Sequence, residues 1–201
     1  MKIVIGRRSN GNAVTIHLEG THLFVSYTEE HQIGGLFADM AKSPDHSVQL
    51  FLSASEALKM QLSRYCKNAI TENEAVLIEM IHRKLITRQK REYPNTPSAI
   101  FVLIEDIWSW VRLTNKKKYS QRLARLLTMA PAYKIFLVCG SMLPLRNLLA
   151  GLIANNPKLK NKLITDDSFR PLGTLGAELV YTTEGFAFYK PKGAAEFERM
   201  Y

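Results

Sequence analysis

Long apolar runs are missing from this chain. None of its 201 residues belongs to an apolar stretch approaching the ~20 needed to cross a bilayer. Met1 leads straight into the β-type run Lys2 to Gly6, without the basic, apolar and small-residue succession of a secretory leader. The expectation is a soluble, cytoplasmic polypeptide. Cysteine is scarce too: Cys66 and Cys139 stand far apart in apolar or mixed surroundings, which fits neither a disulfide framework nor a thiolate metal site and agrees with a reducing compartment. The histidines His17, His22, His31, His46 and His82 have no metal-ligand spacing and read as surface or capping residues, so no metal is expected. Neither Cys139 nor Ser141 sits in a nucleophile elbow, which removes the commonest covalent hydrolase chemistry. Repeats, low-complexity segments and Gly/Ser-rich linkers are also absent, so a single domain over residues 1–201 is expected, long enough for one well-filled core.

Acidic residues are in deficit. Asp and Glu number 18 against 27 Lys and Arg, leaving a formal charge of +9, which favours anionic partners such as nucleic acid, lipid headgroups or an acidic protein. The basic residues gather at His82 to Glu92, Asn115 to Arg125 and Asn156 to Leu163. Each segment also has the composition of the wet side of a helix or of a loop, so charge by itself does not choose the partner.

What is present is alternation. Short β-type runs occur at residues 2–6, 13–18, 22–27, 47–53, 99–107, 133–141, 177–183 and 185–191, with helical patterns filling several of the gaps. The clearest helix spans Glu72 to Glu92, where Leu77, Ile78, Ile81 and Leu85 share one face while Lys84, Arg88 and Arg91 lie on another; Pro94, Asn95 and Pro97 end it. Further helices are predicted over residues 117–131, with Leu123, Leu126 and Leu127 inward, and over residues 143–157. Strands separated by helices of this length imply crossover connections. The expected fold is therefore α/β, with a mostly parallel sheet flanked by helices and antiparallel strands added from the first and last segments. Ile100 to Ile104 and Lys134 to Cys139 are almost continuously apolar, as central parallel strands covered on both faces must be. Ligands in such sheets collect beyond the carboxyl ends of the strands. There the chain places Glu105 and Asp106 after one central strand, Gly140 and Ser141 after the other, and the turn from Ser26 to Ile33 after the strand His22 to Val25. Trp108 and Trp110 lie roughly 200° apart if helical, so one can be core while the other reaches the surface.

A strand, loop and helix near the amino terminus, a basic helix ending in Arg91-Glu92-Tyr93-Pro94, an apolar strand ending in two acids and a later apolar strand ending in a small polar residue together resemble the FtsK/SpoIIIE-type P-loop ATPases. Within that family the chain is most similar to the carboxy-terminal ATPase-like module of the type VII secretion coupling protein, the EssC/EccC type. Residues 2–27 resemble the lead-in strands before the phosphate loop, and residues 177–191 resemble the closing hairpin. The resemblance implies a P-loop NTPase-like fold and implies that residues 1–201 are a fragment of a longer, membrane-anchored protein facing the cytosol.

The family's phosphate loop, G-x-x-x-x-G-K-[ST], turns backbone N–H groups, a lysine and a hydroxyl toward phosphate and magnesium. Over this chain it falls on Ser26 to Ile33. Ser26 and His31 take the glycine positions, Gln32 the lysine and Ile33 the hydroxyl, while Glu29 and Glu30 would set carboxylates against phosphate. The same acids suit the first turn of a helix, where negative side chains satisfy its unpaired N–H groups and dipole. The family's strand ends Asp-Glu for magnesium and water activation; here the order is Glu105-Asp106. Without the family, these two are acids at a strand end, available to a nearby Arg or Lys. The expectation is thus a degenerate loop with no catalytic residue and no cofactor, ATP and magnesium entering only if an unusual site works. The leading function is a non-catalytic module that recognises secreted protein substrates or sister ATPase modules. Its docking surface is expected at Arg112, Lys116, Lys117 and Arg122, with Trp110 as anchor. The alternatives are an active or weakly active ATPase and a DNA-binding domain of a translocase, the latter short of aromatics among its basic segments.

Overall fold

Two strands with almost no polar side chain must be covered on both faces, and that requirement organises the molecule. The computed structural model describes residues 2–7, 11–17, 20–42, 48–65, 69–90, 98–143, 148, 154, 175–183 and 187–200. The strands are β1 (Lys2–Arg7), β2 (Ala13–His17), β3 (His22–Ser26), β4 (Gln49–Ser53), β5 (Ile70–Thr71), β6 (Ile100–Ile104), β7 (Ile135–Ser141), β8 (Gly176–Tyr181), β9 (Ala187–Lys190) and β10 (Glu198–Met200). The helices are α1 (Glu30–Ala41), α2 (Glu56–Leu62), α3 (Glu74–Lys90), α4 (Ile107–Leu113) and α5 (Lys117–Met129), with a 3-10 turn at Ala130–Tyr133.

The main sheet has the order β10-β9-β8-β3-β7-β6-β4-β5. From β8 to β5 every pairing is parallel, and β9 and β10 add antiparallel strands at one edge. The strands ending at Val25, Ser53, Ile104 and Cys139 lie side by side, as the apolar runs require. Antiparallel pairing of the first segment is present but placed differently: β1 and β2 pair with each other in a separate two-stranded sheet rather than extending the main one. The helix expected over residues 143–157 lies almost wholly outside the described residues.

Alternation in the strands splits the interior into two layers. One face carries Phe24, Phe51, Val102, Ile104, Leu137 and Cys139 beneath α3, α4 and α5. The other carries Leu23, Val25, Leu52, Phe101, Leu103 and Val138 beneath α1 and α2. From α1, Ile33, Leu36, Phe37 and Met40 are buried, each contributing roughly 1.5–3 kcal/mol of transfer free energy. In α3 the buried stripe is Leu77, Ile78, Ile81 and Leu85, as expected, but Arg88 lies on it too. Among the described residues no helix is long and apolar enough to cross a membrane.

Candidate functional site

The loops after β3, β6 and β7 meet at the carboxyl edge of the sheet. The turn from Ser26 to Ile33 enters α1 through Glu29, the N-cap in extended conformation, which forms a capping box with Gln32. Gln32, set at the lysine position by the resemblance, closes the turn with its carboxamide. Its oxygen accepts from the backbone N–H of Thr28 at 3.0 Å and of Glu29 at 3.2 Å, and from the Thr28 hydroxyl at 3.3 Å, while its nitrogen donates to the Thr182 carbonyl at 3.2 Å. A neutral side-chain oxygen therefore takes N–H groups at the entry to α1. His31 lies 3.1 Å from Glu29 on the surface, Glu30 sits in the first turn, and Ile33 is in the core. Ser26 pairs within the sheet, between Ser141 and Val180.

The acid pair is also committed to structure. Glu105 is buried, and its carboxylate accepts from both the backbone N–H and, at 3.1 Å, the hydroxyl of Ser55, the N-cap of α2. Asp106 is the N-cap of α4, accepting from Trp108 N–H at 3.0 Å and facing Arg112 at 3.5 Å. The expectation of a nearby basic partner thus holds for Asp106, whereas Glu105 is held by a serine. Between loop and acids lies Tyr27, which sequence reasoning left without a role. Its hydroxyl donates to the Glu105 carbonyl at 3.1 Å, and burial, then Glu105, Asp106 and Glu30, raise its proton affinity far above that of an exposed tyrosine. Gly140 completes the closure: a Cβ there would overlap the Glu105 carbonyl oxygen and press on the Tyr27 ring. Among the described residues no group of His, Cys, Asp and Glu could hold a metal ion.

The expected docking residues separate. Trp110 is fully buried and donates from Nε1 to Ser53 Oγ at 3.0 Å. It is a core residue tying α4 to β4, not a surface anchor, because helical geometry turns position 110 toward the sheet and leaves Trp108 half-buried. Arg112, Lys116 and Lys117 are exposed along the short connection from α4 to α5. Arg122 lies farther along α5, where it pairs with Glu79 of α3. The histidine expectation also changes. His22 is fully buried, accepting from Leu137 N–H at 2.9 Å and donating to the Leu126 carbonyl at 3.0 Å; its place as first residue of β3 was the one signal of burial.

The sequence matches no known family profile and no curated protein. Solved structures do match. The chain is similar to the cytoplasmic domain of the type VII secretion ATPase EccC of Thermomonospora curvata, with TM-score 0.64 and 13% identity over 99% of this chain and 28% of that one. It is similar to the pCW3 conjugation coupling protein TcpA, solved with ATPgS, with TM-score 0.64 and 12% identity over 99% of this chain and 64% of that one. A third likeness is to ATPases 2 and 3 of T. curvata EccC in complex with a signal sequence peptide, with TM-score 0.54 and 14% identity over 89% of this chain and 35% of that one. The fold is that of the FtsK/SpoIIIE-type ATPase domains in these proteins, and the chain spans less than two thirds of each.

Proposed function

We propose that this chain is an ATPase-fold module that does no nucleotide chemistry and works in protein recognition, on the cytosolic side of a secretion or transfer assembly. The observation that carries this reading is the Gln32 carboxamide, whose oxygen takes the N–H groups of Thr28 and Glu29 in the turn where relatives of this fold place phosphate. Glu105 and Asp106 support it, since each is spent on a helix N-terminus. The partner class is a secreted protein substrate or a sister ATPase module. A structural neighbour in complex with a signal sequence peptide supports that class, as does the exposed basic corner Arg112, Lys116 and Lys117.

Titration of the chain with a fluorescent ATP analogue and magnesium tests the reading directly. The expected result is no saturable binding up to millimolar nucleotide and no rise in melting temperature, since a ligand that binds only the native state must raise it. Saturable binding, or hydrolysis lost in Glu105→Gln, would mean that the chain is an ATPase with an unusual site.

A further inference from the structure

One face of α5 and His82 of α3 line a cleft of about 800 Å³. Along α5, Lys118, Arg122 and Arg125 follow at steps of four and three, so their side chains stack on one face over roughly 10 Å. Across from them stands Glu79 of α3. Lys118 Nζ lies 3.2 Å from Glu79 Oε1, and the Arg122 guanidinium meets the same oxygen. Two cations on separate turns thus close on one carboxylate oxygen. Arg125 lines the same cleft, and no carboxylate pairs with it among the described residues. Among the described residues, three cations against the single Glu79 leave a surplus of two positive charges. His82, also on α3, lines the cleft with Nε2 buried and without a hydrogen-bond partner among the described residues. At the carboxyl end of α5 the exposed Met129 adds an apolar wall.

We propose that this cleft is a docking groove for an acidic helical segment of a partner protein, and that Glu79 is a built-in carboxylate which the partner's own carboxylate displaces. The proposal rests on reading the chain as an interaction module and names the chemistry of its partner. Steps of four and three are the helical repeat, so a helix lying along α5 with acids at the same spacing brings one carboxylate to each cation. Met129 then accepts an apolar residue of that helix. A phosphate backbone suits the cleft less well, because it meets the cations but leaves the exposed Met129 without an apolar contact. Exchange of one carboxylate for another conserves the Lys118 and Arg122 contacts, while Arg125 gains a partner. Affinity therefore comes chiefly from the cation that no carboxylate pairs beforehand.

The test uses a fluorescein-labelled amphipathic peptide of about 20 residues with Glu at i, i+4 and i+7, titrated with the full chain at low ionic strength. The double variant Arg122→Glu/Arg125→Glu is expected to weaken binding roughly tenfold or more, and Glu79→Gln to tighten it about threefold or more. The same peptide with Gln in place of Glu is expected not to bind. Arg64→Glu/Lys192→Glu, which makes the same change in net charge at exposed positions outside the cleft, is expected to stay within about twofold of the parent. Circular dichroism checks each fold; if the double variant does not fold, Arg125→Gln and Glu79→Gln decide in the same directions. Parent-like binding by the cleft variants, equal loss in the Arg64 and Lys192 variant, or displacement of the peptide by a mixed-sequence DNA duplex at equal concentration would each overturn the proposal. Nucleotide binding, measured separately, would overturn the interaction-module reading itself, so the two failures are distinguishable.

Discussion

At the residue scale, His22 joins β3 to β7 and α5 through one hydrogen bond accepted and one donated, and that arrangement requires a neutral ring. Burial lowers its pKa from 6.5 to about 4. The unfolded chain therefore binds a proton that the folded chain refuses, so this contribution to stability is complete above about pH 6.5 and declines as pH falls toward 4. The full shift corresponds to roughly 3 kcal/mol. Urea unfolding of the parent between pH 4.5 and 7 is expected to show a slope that His22→Gln flattens; equal slopes would remove His22 as the source. Gln32 supplies a second residue-scale expectation. In Gln32→Ala two N–H groups at the entry to α1 lose their acceptor, and chemical denaturation is expected to read a loss of about 1–2 kcal/mol. Gln32→Glu keeps the acceptor and is expected to recover most of that loss.

At the element scale, a single side chain closes the junction where α5 passes through the 3-10 turn into β7. From α3, Arg88 donates to the carbonyls of Tyr133 at 2.6 Å, Lys134 at 3.1 Å and Ser98 at 2.7 Å. Lys134 itself adopts the left-handed conformation, φ 54°. Carbonyls turned inward there need a donor, and a planar guanidinium reaches several at once as an ammonium cannot. Arg88→Met is expected to cost about 2–4 kcal/mol by urea unfolding, and Arg88→Lys to recover less than half of that. The helical period did place position 88 on the stripe of Leu77, Ile81 and Leu85 as well as on the row of Lys84 and Arg91. Charge argued for the wet face, and only the position of the α5 to β7 junction shows why an arginine sits inside. Helix α2 and the short β5 and β10 were not anticipated, because segments of two to seven residues carry too few periods to register.

At the scale of the whole molecule, β6 and β7 lie at the centre of the main sheet, every residue in them buried. Their amides are expected to exchange with solvent only on global unfolding, while those of the edge strand β5 exchange through local opening at a rate faster by orders of magnitude. Native-state hydrogen exchange measures this; protection in β5 equal to that in β6 would show that the sheet opens as one unit. Gly140→Ala is expected to destabilise the chain by about 2 kcal/mol or more by urea unfolding, because a Cβ there meets the Glu105 carbonyl rather than a movable side chain.

The sequence by itself determined the class of the fold and that its four central strands lie side by side; their order came from the structure. Continuous apolar runs can be satisfied only by a sheet covered on both faces, and connections of that length make it parallel. It also determined that the turn after β3 lacks a lysine, because residue identity needs no geometry. Tertiary structure alone decided what the Gln32 side chain does in that turn, since the groups bonded to it include Thr182, 150 positions away. It likewise decided that Trp110 is core, that the first two strands form their own hairpin, and that His82 of α3 and the cations of α5 share one cleft. Each of these depends on which elements become neighbours. Hydrogen bonds and ion pairs act over a few ångströms, so they are settled only once packing has brought the elements together.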